Sequence, residues 1–168
     1  DNLVHRLEIP PLVVGLVSSP DRLKEYVGFD PHADFVVQEL LPALRERFPI
    51  DDDPASRGLM GASLGGVASL HTAWRHPGTF GRLLLQSGSF AFTDIGENRR
   101  GPVFEPVVKF MIAFRAAPGS RTCSPDRSGW YTSRKSRGSD PFEFERGLKD
   151  ERDHPTDRPV AVSYTHLA

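Results

Sequence analysis

One decapeptide limits what this chain can become: Arg57-Gly58-Leu59-Met60-Gly61-Ala62-Ser63-Leu64-Gly65-Gly66. An apolar run breaks into small residues around a single serine, in the order Gly-x-Ser-x-Gly, and an apolar helical pattern resumes directly behind it. Glycines at Gly61 and Gly65 let a strand turn sharply into a helix and leave the serine hydroxyl exposed at the bend, which is the layout of a nucleophile elbow. A strand must therefore come before Ser63 and a helix after it. The bare pattern is common in Gly- and Ser-rich sequence, so its weight depends on what flanks it.

The flanks have the required periodicities. Leu3, Val4 and Leu7 have the spacing of an amphipathic helix that Pro10-Pro11 ends. Leu12 to Val17 is a continuous apolar run rich in β-branched residues, the pattern of a strand buried on both faces. Ser18 to Gly28 is polar and reads as a surface loop, with Arg22, Glu25 and Tyr26 on it. Asp30-Pro31 supplies an N-cap and a first helical residue. Val37, Leu40, Leu41 and Leu44 continue at helical spacing, with a bend expected at Pro42 because an interior proline removes a hydrogen bond. Phe48-Pro49 closes that helix, and Asp51-Asp52-Asp53-Pro54 is turn chemistry.

Ser56 to Met60 is the strand before the elbow. Leu64 to Arg75 is the helix after it, with Val67, Leu70, His71 and Trp74 on one face and Pro77 beyond its end. Leu83-Leu84-Leu85 is a further short strand, completing a parallel strand–helix–strand unit. Pro102 to Phe114 forms another helix with Val103, Val107, Phe110, Met111 and Phe114 as its apolar face. His71 and His76 lie on or just beyond the helix that Ser63 opens, so both are expected to be structural: a base for Ser63 must come from elsewhere in the chain.

Apolar residues are distributed unevenly. Between Pro118 and Pro159 the only aliphatic residue is Leu148, so residues 117–168 are expected to form a disordered tail, distinct from a folded unit over residues 1–116. The 21 basic and 22 acidic residues leave a formal net charge of -1, which supplies no electrostatic reason to bind nucleic acid or an anionic membrane. The lone Cys123 excludes an internal disulfide and leaves a metal site of thiolates without support. Neither cofactor nor metal is expected. The longest apolar run, Ile9 to Val17, is too short to span a bilayer. No secretory leader pattern opens the chain at Asp1-Asn2, but the start of the first helix is missing, so the location stays unknown with the cytoplasm favoured.

Together these residues resemble the putative-esterase family of α/β-hydrolases, which includes the enterochelin-esterase-like and esterase-D-like enzymes. The likeness runs from about Asp1 to Phe114. It rests on Arg22 with Glu25-Tyr26, on Glu39-Leu40-Leu41-Pro42, on Arg57 ahead of Gly61-Ala62-Ser63-Leu64-Gly65-Gly66, on His76-Pro77 with Phe80-Gly81, and on Gln86-Ser87-Gly88-Ser89-Phe90. The resemblance implies an α/β-hydrolase-type three-layer sandwich with a mostly parallel sheet. It further implies a serine carboxylic-ester hydrolase acting through an acyl-enzyme on a small-molecule ester. Ser63 is then the nucleophile, and the Leu64 backbone amide helps hold the oxyanion, as preorganised amides at a helix start can.

The chain departs from the family pattern at both ends. The loop supplying a second oxyanion donor, and the strand that would lie between Leu12–Val17 and Ser56–Met60, would precede Asp1. Two unpaired buried edges and an incomplete sheet are the expectation. The acidic strand and the Gly-His segment of the family are missing from the tail, which leaves His154 as the histidine available as base. The Arg/Ser/Gly/Pro/Asp bias from Ala117 has the composition of GC-rich coding DNA read out of frame, and Val162 to Leu167 resembles a translated sequencing adaptor. On this reading the chain is a fragment, poorly folded by itself and nearly inactive. Two further readings stay open: acyl transfer to an alcohol instead of water, and a non-catalytic domain of the same fold that keeps Ser63 as part of a turn.

Overall fold

A computed structural model describes residues 2–8, 11–90, 101–117, 129–134, 143–146 and 160–164. In chain order these form α1 (Asn2–His5), β1 (Val13–Val17), α2 (Arg22–Glu25), α3 (Asp30–Phe35), α4 (Leu41–Arg47), β2 (Arg57–Ala62), α5 (Leu64–Arg75), β3 (Arg82–Gln86), α6 (Glu105–Ala116), β4 (Gly129–Arg134), β5 (Glu143–Arg146) and β6 (Val160–Tyr164). The architecture is mixed helix and sheet, as the sequence implies.

The six strands make one sheet in the order β1-β6-β2-β3-β4-β5. From β1 to β3 the pairs are parallel; β4 and β5 then add antiparallel. This corrects the expectation of two unpaired edges. β6 pairs with both neighbours, Val13↔Val160 on one side and Arg57↔Val160 on the other. The physical reason is in the last residues of the chain: Val160-Ala161-Val162 is a β-branched run beyond the aliphatic-poor stretch, and it suits a central strand. Three of the six strands thus come from the part of the chain set apart above as a tail.

The core lies on one face of the sheet. Leu59, Leu83 and Leu85 point into it and meet Val67 and Leu70 of α5 and Val107, Met111 and Phe114 of α6, all almost fully buried. Each such side chain contributes about 1.5–3 kcal/mol on leaving water. Along β2 the alternation is strict, with Arg57, Leu59 and Gly61 buried and Met60 and Ala62 exposed. β1 differs from its sequence reading. Val17 is buried in the core, but Val14 and Leu16, which point to the opposite face, are 47% and 67% exposed.

The helix beginning at Asp30 runs to Arg47 without a break. A π-helical turn, Val36–Leu40, joins α3 to α4, and the Leu41 amide donates to the Val36 carbonyl five residues back. The wider turn spares the chain a bond that Pro42 could not donate, which is why the proline is accommodated. The Ser18–Gly28 segment holds α2, a short helix not evident in the sequence. Tyr26 is also not a surface residue: it is 5% exposed, and its hydroxyl donates to the Val17 carbonyl at 3.2 Å. Burial raises the Tyr26 pKa.

Candidate active site

β2 and β3 end level with each other, Ala62 opposite Gln86. Directly beyond Ala62, the Ser63 amide donates to the Gln86 carbonyl at 3.0 Å, and the backbone then leaves the strand with φ 56° and ψ -120°. A non-glycine residue there costs on the order of 1–3 kcal/mol and persists only where its surroundings hold it. Two bonds to the Ser63 carbonyl do so: the Gly66 amide at 3.1 Å, which closes the first turn of α5, and the Ser89 amide at 3.0 Å.

Gly61 explains why the turn can be so tight. A Cβ built on it would lie 2.1 Å from the Gly65 carbonyl oxygen and 2.2 Å from its carbon, so the strand end and helix start touch backbone to backbone. Gly66 is close-packed in turn against the 86–90 loop, where an added Cβ would meet the Gly88 Cα at 3.2 Å. That loop carries its own strained residue, Ser87, at φ 46°.

The Ser63 side chain is half-buried, and its Oγ lies 2.8 Å from Ser89 Oγ, with either hydroxyl able to donate. Ser89 lies in the Gln86–Phe90 block on which the family resemblance rests, but nothing in the sequence assigns it a contact. Register alone would bring Ser87 level with Ser63, and it is the course of the loop beyond Gln86 that brings Ser89 back to it. Leu64 is the first residue of α5, its side chain buried and its amide without an intrahelical acceptor by position. The partial positive charge of the helix start is therefore directed at the serine. Gly65 is buried, and its carbonyl accepts from Ser69 Oγ at 2.8 Å.

α5 is buried almost all round, from Leu64 to Ala73, and its far end is tied to α3. His71 Nε2 is 3.2 Å from Asp30, Arg75 reaches Asp30 at 3.0 Å and Asp34 at 2.7 and 2.9 Å, and His76 Nε2 is 2.7 Å from Asp34. The Arg75 hydrogen bonds, with His76 behind them, lower the Asp34 pKa to about 2. Burial lowers the His71 pKa despite Asp30 beside it. At about 1.5 Å per residue, His71 lies roughly 12 Å along the helix from Ser63 and His76 farther still. Both histidines brace α5 against α3. His154 lies outside the described residues.

Arg57, at the other end of β2, is 5% exposed, and its Nη2 donates to the Asp52 carbonyl at 2.6 Å. Burial lowers its pKa. A cavity of about 430 Å³ opens between Asp21–Phe29 and the start of α6; none of its lining residues belongs to the turn around Ser63. Among the described residues no group of three His, Cys, Asp or Glu could hold a metal ion, and no helix is long and apolar enough to cross a membrane.

The arrangement is a parallel strand–turn–helix unit that lifts one serine to the sheet edge above a helix N-terminus. The family model described as "Putative esterase" matches residues 18–146, and the chain belongs to that family. Iron(III) enterobactin esterase of Escherichia coli (strain K12) is 33% identical over 107 residues, covering 62% of this chain and 27% of that protein. The protein named "Uncharacterized protein YbbA" of Bacillus subtilis (strain 168) is 29% identical over 113 residues, covering 58% of this chain and 45% of its own length. Iron(III) enterobactin esterase of Dickeya dadantii (strain 3937) is 46% identical over 55 residues, 33% of this chain and 13% of that protein. The chain thus spans about a quarter of the length of the Escherichia coli relative and under half of the Bacillus one. No solved structure matches it.

Proposed function

We propose that this chain carries the nucleophile of a serine ester hydrolase built on an α/β-hydrolase-type sandwich. The observation that carries the reading is the backbone of Ser63, at φ 56° and ψ -120° between a parallel strand and a buried helix, held by glycine contacts that admit no side chain. Ser63 Oγ bonds to the carbonyl carbon of a small carboxylic ester and its proton passes to a base. The tetrahedral intermediate carries its negative charge on the former carbonyl oxygen, where the Leu64 amide at the start of α5 donates to it. Collapse breaks the ester C–O bond, and the alcohol leaves with the proton. Water then attacks the acyl-enzyme, releasing the carboxylic acid and restoring the Ser63 hydroxyl. Family membership and the two enterobactin esterase relatives support an ester as the substrate class. His154 is the histidine that the sequence offers as base.

A fluorophosphonate probe tests the reading. The expected result is covalent labelling of the 168-residue chain at Ser63, abolished by Ser63→Ala and weakened by His154→Ala. A cooperatively folded chain that takes no label, or takes the same label after Ser63→Ala, overturns it in favour of a non-catalytic domain.

A further inference from the structure

We propose that Ser89 is a positioning residue: its hydroxyl donates to Ser63 Oγ, fixes that oxygen's rotamer and raises its reactivity. The proposal rests on the esterase reading for its consequence and on separate geometry for its contact. Ser89 meets Ser63 twice, through its amide on the Ser63 carbonyl at 3.0 Å and through Oγ on Oγ at 2.8 Å. The Ser63 amide binds the same loop at Gln86. Three bonds therefore hold the segment from Gln86 to Ser89 to the serine, and the absence of a side chain at Gly66, where a Cβ would meet the Gly88 Cα at 3.2 Å, lets the loop lie this close.

The donor direction follows from the chemistry. An attacking Ser63 must direct its own proton at a base, so in the reactive arrangement the 2.8 Å contact is filled by the Ser89 hydrogen on a Ser63 lone pair. As the Ser63 proton departs, negative charge grows on Oγ and the Ser89 bond strengthens, because a hydrogen bond to an ionised acceptor is stronger than one to a neutral acceptor. Once Oγ is acylated it becomes an ester oxygen, a weaker acceptor. The Ser89 hydroxyl is then released to face the acyl group.

Two measurements test this, one of them independent of esterase activity. In a Cys123→Ser background, the thiol introduced by Ser63→Cys is titrated by its rate of alkylation with iodoacetamide as a function of pH. A hydroxyl donating to the thiolate lowers the thiol pKa, so adding Ser89→Ala should raise the midpoint by about one unit. On the Ser63 protein, Ser89→Ala should slow fluorophosphonate labelling about tenfold, roughly the worth of one hydrogen bond. Ser89→Thr keeps the hydroxyl and should label within about twofold of the original chain. It also guards against a trivial folding defect, which thermal unfolding of each variant reports.

A thiol midpoint that does not move with Ser89→Ala, or a Thr variant as slow as the Ala variant, overturns the proposal. If the midpoint moves while no variant takes the fluorophosphonate, the Ser89 contact stands and the esterase reading is the one that fails.

Discussion

Gly61→Ala is the sharpest single perturbation that the fold invites. The new methyl would sit 2.1 Å from the Gly65 carbonyl oxygen, 2.2 Å from the carbonyl carbon and 2.8 Å from the Gly66 nitrogen. All three neighbours are backbone, so no side chain can swing aside. To reach even 3.0 Å, the first turn of α5 must retreat from the strand end by about 0.9 Å. Overpacking of this kind typically costs about 1–3 kcal/mol, and rigid neighbours place Gly61→Ala at the upper end. For a chain of this size, roughly 3 kcal/mol corresponds to a fall of about 6–12 °C in thermal midpoint. The same displacement moves Ser63 and Leu64 relative to each other, and a misplacement of about 1 Å can cost on the order of a hundredfold in reactivity. Gly78→Ala is the control: with φ +77° and nothing within 4 Å of the added Cβ, it should cost only about 1–2 kcal/mol of left-handed strain and leave labelling intact. Thermal unfolding and the rate of fluorophosphonate labelling should be followed in parallel. A Gly61→Ala chain that unfolds within 2 °C of the original, by the size scaling just used, and labels at the same rate would show that the turn is not packed as described.

Other perturbations probe the frame around the turn. Phe114→Ala removes a ring that is 1% exposed and packs on Phe110 at 6.0 Å between centroids; urea unfolding should show a loss of about 3–5 kcal/mol, and a loss below about 1 kcal/mol would detach α6 from the core. The lowered pKa of His71 means that the unfolded chain takes up a proton that the folded chain resists. Stability should therefore be unaffected by this group above its ordinary 6.5 and should decline as pH falls below it; His71→Gln should flatten that slope between about pH 7 and 5, and an unchanged slope would refute the assignment. Val162→Pro removes an amide from the strand between β1 and β2, leaving a ladder acceptor unpaired at about 1–3 kcal/mol; unchanged urea unfolding would remove β6 from the centre of the sheet.

The turn around Ser63 was legible in sequence because the residues that permit it are local: Gly61 and Gly65 flank the serine, an apolar strand precedes it and an apolar helix follows. The bonds from Gln86 and Ser89 that hold it are not local. The existence of α5, α6 and the first three strands was legible in the same way, although β1 proves buried on one face only and Val103, read as part of the α6 face, is exposed ahead of that helix. Ser89 was not legible as a contact. It stands 26 residues from Ser63 and meets it because β2 and β3 end level and the loop beyond Gln86 turns back over the serine. At Pro42 a bend was expected in place of a break; the helix continues unbroken, and the means is a π turn over Val36–Leu40 that leaves no mark in composition.

The centre of the sheet resisted a sequence reading for a deeper reason. Composition over residues 118–159 says that little there can be buried, and a tail is the natural inference from so few aliphatic residues. A central strand, however, needs only five residues with the right backbone reach and β-branched character, and Val160–Tyr164 supplies them after the poor stretch has ended. Its partners, Val13–Val17 and Arg57–Gly61, are far away in the chain, so nothing within a local window announces the pairing. Non-local pairing of this kind is reached late and at a high entropic cost. Without it the facing edges of β1 and β2 would each present a row of unpaired backbone N–H and C=O groups, and Val160–Tyr164 satisfies both. The strand beside the proposed nucleophile is therefore set by pairing across the chain, with Gly61 of β2 opposite Tyr164 two residues before Ser63.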